Sequence, residues 1–173
     1  EEIPMARLYS VSPDDRLQLR LHGKGFFFDN ARRKHGTLMH EVLSRIRTPK
    51  DIPASVESYR LAGVINREEA AELISRLEEL LQAEEVKAWY DGSARVLNEV
   101  DILFGKGLSK RPDRVIIKGG KVIVVDYKFG ERQDKRHPNQ VRNYLQLIRK
   151  MGFERVDGYL WYVELGKIEA VNK

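Results

Sequence analysis

The chain has 173 residues, enough to bury roughly 70% of its unfolded surface and to fold as one ordinary domain without a covalent staple. It contains no cysteine, which excludes a disulfide framework, a cysteine zinc site and a cysteine-ligated iron–sulfur cluster. Thirty-one Lys and Arg against 26 Asp and Glu give a net charge of +5 and a pI near 9.4, a balance suited to polyanionic partners such as nucleic acid.

Taken in chain order, residues 16–29 (RLQLRLHGKGFFFD) alternate and then turn aromatic, so they read as a short strand or extended arm. Phe26, Phe27 and Phe28 there suit a hydrophobic plug or a docking surface. Residues 33–47 (RKHGTLMHEVLSRIR) place Leu38, Met39, Val42, Leu43 and Ile46 at helical spacing. A second helix starts after Pro53. In the third, Asn66 stands three residues before Glu69, the reciprocal pattern of a capping box, and a shorter helical piece follows through Trp89. The Glu-rich helix 68–85 reads as a solvated face packed on the domain.

The pattern then changes. Residues 94–104, 110–118 and 121–129 are strand-like. Residues 137–152 form a helix with Pro138 in its first turn and Gly152 at its end, and 155–165 and 167–172 return to strand. The expected fold is α/β: a mixed sheet of order β-β-β-α-β, flanked by helices and preceded by a helical segment. No repeat or linker divides the chain, so one domain is expected over 1–173. Residues 1–92 form its N-terminal arm and helical elaboration, and 93–173 its core. No apolar run approaches the ~20 residues of a membrane span, and the N-terminus does not read as a signal peptide. Starting at Glu1, the sequence reads as a piece of a longer protein.

One hairpin carries the chemistry. Val115-Ile116-Ile117 and Val122-Ile123-Val124-Val125 flank Lys118-Gly119-Gly120-Lys121. With the two glycines as a primed turn, Lys118 faces Lys121 and Asp113 faces Asp126. The acids fall on a non-hydrogen-bonded pair, the close kind, with Cα atoms about 4.5 Å apart. Lys128, two residues on, shares their face. Two unit charges 4 Å apart repel by on the order of 4 kcal/mol at an effective dielectric of about 20. A shared proton, a neighbouring cation or a metal ion must offset that, and carboxylate oxygens favour Mg²⁺ or Mn²⁺. The competing structural reading pairs Asp113 with Arg111 or Arg114 and Lys128 with Asp126 in a surface ladder, worth little.

Here the residues carry a resemblance. RPD at 111–113 followed by VVDYK at 124–128 resembles the PD-(D/E)XK nuclease signature, more narrowly the RecB-type nuclease domain at the C-terminus of bacterial helicase–nucleases. GTLMH (36–40) is similar to the family's Gly-x-x-x-His helix, LNEVDI supplies an acidic residue in the first core strand, and QVRNY (140–144) matches its Gln-x-x-x-Tyr helix. These matches come in the family's order and cover roughly residues 30 to 165.

The resemblance implies a restriction-endonuclease-like core in which His40, Asp113, Asp126 and the backbone carbonyl of Tyr127 bind the metal. Glu99 would be an outer-shell or second-metal carboxylate, with Asp101 its rival, and Lys128 would position the attacking water or stabilise charge on the phosphate. Gln140, Tyr144 and Arg111 would hold DNA or support the site. It further implies a bacterial, cytoplasmic, Mg²⁺- or Mn²⁺-dependent deoxyribonuclease, exonucleolytic rather than endonucleolytic, acting on single-stranded DNA ends in double-strand-break repair and recombination. A helicase part of the same polypeptide or complex would supply the strand; no Walker A motif is present, so ATP hydrolysis would belong to that part. The lack of cysteine points to the AddA-like branch, free of an iron–sulfur cluster. One residue departs from the family: Phe129 follows the lysine where a small residue is usual. The alternatives are a nuclease-like module that has lost turnover and binds DNA or a partner, and a resolvase-type endonuclease. His40 alone would read as a helix histidine beside Met39 and Val42; the ordered motif set overturns that. His35 and His137 read as solvated or phosphate-contacting, His22 is unassigned, and Tyr159, Trp161 and Tyr162 read as core.

Overall fold

A computed structural model describes residues 24–99, 102–104, 108–130 and 133–171, with side chains for all of these except 24–34, 102–104 and 108–110. By internal contacts the chain divides between His35 and Gly36. Of the first unit, only a helical backbone from Lys24 is described. The second, from Gly36 onward, holds everything that follows.

The elements in chain order are α1 (Lys24–Arg45), a 3₁₀ turn (Pro49–Asp51), α2 (Ile52–Leu61), α3 (Arg67–Gln82) and α4 (Glu84–Lys87). Then come β1 (Arg95–Asn98), β2 (Ile102–Phe104), β3 (Leu108–Lys110), β4 (Arg114–Lys118), β5 (Lys121–Lys128), α5 (His137–Lys150), β6 (Arg155–Tyr162) and β7 (Lys167–Val171). Five strands form one mixed sheet in the order β1-β4-β5-β6-β7; β5 and β6 are parallel, joined through α5, and the other neighbours are antiparallel. The β2–β3 pair is a separate two-stranded ribbon. The α/β class and the helix-before-sheet order expected from the sequence are thus observed.

Strand alternation sorts the core into two layers. Ile123, Val125 and Tyr127 of β5 pack with Ile116 and Trp161 against Leu43, Val56 and Leu77 of the first three helices and Ile46 just past α1. Val122 and Val124 point the other way, onto Val141, Leu145 and Ile148 of α5. The capping box at α3 is formed: Asn66 Oδ1 accepts the Glu69 N–H at 2.8 Å, and Glu69 accepts the Asn66 N–H at 2.7 Å.

Three expectations are corrected. The aromatic stretch from Lys24 to Asp29 is the start of α1 and not a strand or arm; residues 16–23 lie outside the described residues, as do the side chains of Phe26 to Phe28. The single strand expected over 94–104 is broken after Asn98, where Glu99 adopts φ +49°, a left-handed conformation that ends an extended run. Lys110 pairs in the separate ribbon, and β4 begins only at Arg114.

Candidate active site

The hairpin has the register expected from its glycines. Gly119 and Gly120 take φ of +56° and +74°, the primed-turn conformation, and Lys118 pairs with Lys121 and Arg114 with Val125. Continued one residue outward, that register sets Asp113, just before β4, opposite Asp126 near the end of β5. The next position is where the ladder stops. Tyr127 would face Pro112, which has no N–H to give to the Tyr127 carbonyl. The Tyr127 N–H donates to Asp113 Oδ2 at 2.6 Å.

Asp113 joins the two layers. Its Oδ1 lies 3.3 Å from Nδ1 of His40, which α1 presents from the far side of the sheet edge. The His40 ring packs edge-on against Phe129, 4.8 Å between centroids, and 5.9 Å from Tyr127. Gly36, one helical turn before His40, lies beside the same ring: a methyl group at position 36 would meet Phe129 Cβ at 3.4 Å, an ordinary van der Waals contact.

Asp126 is 2% exposed, one of two buried charges among the described residues; the other is Arg114. Lys128 Nζ lies 2.5 Å from Asp126 Oδ2. Burial first, then the Asp113 charge, push the Asp126 carboxyl up to about 6, while Lys128 and His40 pull it down. The ion pair foreseen by the structural reading is present, but it is buried and no surface ladder. Its Arg partners for Asp113 are not: Arg114 turns to the opposite face and bonds main-chain carbonyls.

The lysine is held from its other side by α5. Lys128 Nζ donates to Gln140 Oε1 at 3.0 Å, Gln140 Nε2 donates to the Tyr144 hydroxyl at 2.9 Å, and that hydroxyl donates to the Arg111 carbonyl at 3.2 Å. Each donor in this chain fixes the next acceptor, so the Gln140 amide has one orientation only. Arg111 contributes its main chain; its side chain is exposed. His137, at the start of α5, sits 3.4 Å from the Tyr162 hydroxyl, with its pKa lowered chiefly by burial and also by the Lys128 charge.

Glu99 stands apart from this group. It follows β1, its N–H donates to the Asp113 carbonyl at 3.1 Å, and its charge is felt at Tyr59. Asp101 lies outside the described residues. Among the described residues no three His, Asp or Glu side chains are gathered tightly enough to cage an ion. What is gathered is a pair of carboxylates, one of them buried beside Lys128, and an imidazole on Asp113. Two ligand atoms at about 2.1 Å from one octahedral ion stand about 3.0 Å apart, close to the observed 3.3 Å between His40 Nδ1 and Asp113 Oδ1. Carboxylate, carbonyl and imidazole donors are of the chemical type that suits a hard divalent ion.

The sequence did not single out Arg114 or Tyr90. The guanidinium is fully buried and lies 3.8 Å over the Tyr90 ring, whose hydroxyl is 2.7 Å from that of Tyr127. The available signal was an arginine opening an apolar strand.

The profile of the PD-(D/E)XK nuclease superfamily matches residues 16–173. No curated protein matches the chain.

Proposed function

The chain belongs to the PD-(D/E)XK nuclease superfamily, and we propose that it hydrolyses DNA phosphodiester bonds with Mg²⁺ or Mn²⁺ held by Asp113, Asp126, the Tyr127 carbonyl and His40. The observation that carries this reading is the placement of Asp113 opposite the buried Asp126 in the hairpin register, with His40 Nδ1 3.3 Å from Asp113 and Lys128 Nζ 2.5 Å from Asp126. Once bound, the divalent ion would polarise the phosphate oxygens and lower the pKa of a coordinated water.

The remaining work falls to protein groups. Lys128, held between Asp126 and Gln140, presents an ammonium to the phosphate or the attacking water and stabilises negative charge as it develops. Gln140 and Tyr144 support the lysine, which favours a site-supporting role for them over direct DNA contact. Phe129 packs against the His40 ring. Arg111, exposed beside the site, is placed to meet a phosphate. Glu99 is assigned an outer carboxylate role, reached through the Asp113 main chain.

The substrate we propose is a single-stranded DNA end, cut exonucleolytically, in a helicase-coupled repair or recombination enzyme of the bacterial cytoplasm. The basic net charge of +5 and the likeness of the motifs to RecB-type nuclease domains support this. No helix of the described residues is long and apolar enough to cross a membrane. The test is cleavage of end-labelled single-stranded DNA with Mn²⁺. Lys128→Ala should lose cleavage while still binding the strand; a chain that binds DNA and cuts none under any divalent ion would instead be a binding module.

A further inference from the structure

The C-terminus of α1, the helix that carries His40, is held by two side chains from the sheet. Its last carbonyls lack intrahelical donors, as at every helix end. Asn98 Nδ2 donates to the Ser44 carbonyl at 2.6 Å. Arg114 Nη1 donates to the Ile46 carbonyl at 2.9 Å, and Nη2 to that of Arg47 at 3.4 Å. Asn98 and Arg114 are cross-strand partners on β1 and β4, and Nη1 also donates to Asn98 Oδ1 at 3.3 Å. The rest of the guanidinium donates to the Trp89 carbonyl, just past α4, at 3.2 and 2.9 Å, and stacks on Tyr90.

A fully buried cation is costly unless its donors are used, and here they are spent on carbonyls with no carboxylate partner among the described residues. The negative end of the helix dipole supplies part of the compensation. Such a group holds α1 in one place, because any slide of the helix leaves a buried charge unsatisfied. Arg114 is also the chain neighbour of Asp113, so the clasp and the His40–Asp113 contact share one strand end.

We propose that the Asn98–Arg114 pair is a positioning clasp that fixes the His40 helix against the strand bearing Asp113, and so sets the geometry of the imidazole for a divalent cation. This rests on the metal reading above for its functional meaning, though not for its structural content. Neither residue touches the cation; both act through His40.

The test uses the full chain, with Arg114→Lys and the milder Asn98→Ala, which leaves the guanidinium's four main-chain bonds in place and so preserves folding. Two quantities are measured: the His40 ring signals by NMR in cation-free protein, and Mn²⁺ affinity by calorimetry. Both variants should shift the His40 ring resonances, and Asn98→Ala should weaken Mn²⁺ about tenfold. In a His40→Ala background Asn98→Ala should weaken it no further, which a general loss of stability would not reproduce. Unchanged His40 signals in folded Asn98→Ala overturn the proposal. So does an affinity loss that persists without His40. If the wild type binds no Mn²⁺, the metal reading fails, and the ring signals alone still decide the clasp.

Discussion

The hairpin β4–β5 carries a like-charge pair at each end, and the two ends deal with it differently. At the turn, Lys118 faces Lys121, but each has solvent and its own partner: Lys118 donates to Ser93 Oγ at 2.7 Å, and Lys121 meets Asp157 at 2.6 Å with both side chains more than a third exposed. At the open end Asp113 faces Asp126, which is 2% exposed. There burial first, then the Asp113 charge, push the Asp126 carboxyl up to about 6, with Lys128 Nζ 2.5 Å away pulling it down. The same local chemistry is a surface detail in one place and the proposed cation site in the other. Burial makes the difference.

Substitutions that break the open end should have the largest effects. Asp126→Ala should abolish Mn²⁺ binding and reduce DNA cleavage by on the order of 10³-fold, read by calorimetry and by single-turnover cleavage. Lys128→Ala should lower the cleavage rate by about 10²–10³-fold with cation binding retained. Because Lys128 holds the Asp126 pKa down, its loss should also move cation binding to higher pH. His40→Ala should weaken Mn²⁺ by about 10–100-fold without loss of fold.

The pH dependence sharpens the same contrast. Asp126 binds its proton more tightly in the folded chain than unfolded, so cation-free protein should lose stability as pH rises from about 4 through about 6. That is opposite to a carboxylate stabilised as the anion. The displacement from 3.8 to about 6 sets its scale at up to about 3 kcal/mol. Thermal melts across that window should show the fall in wild type and a flatter profile in Asp126→Asn. Mn²⁺ affinity should move the other way, dropping roughly tenfold per pH unit below 6, since the proton competes for the same oxygen. At the turn end, Lys121→Ala should change stability by no more than about 0.5 kcal/mol and leave cleavage as it was.

Much of the open end was legible before coordinates. A two-glycine turn fixes register, and register sets Asp113 opposite Asp126 and puts Lys128 on the same face, all by counting. The Asn66 cap and the Pro138-to-Gly152 helix follow equally local rules. What the sequence did not disclose depends on contacts between distant segments. ARVLNEVDILF has strand propensity throughout, and the break at Glu99 lies in one backbone torsion that no residue type announces. Arg114 looked like a partner for a nearby acid; its partners are carbonyls at the ends of two helices, brought there only by the fold. Phe129 departs from the family's small residue, and its packing partner is the His40 ring, far away in sequence.

Calorimetric titration of Mn²⁺ into the wild-type chain and Asp126→Ala at neutral pH tests the buried acid pair most directly. The wild type should bind and the variant should show no heat of binding. Equal affinity for both would contradict the account.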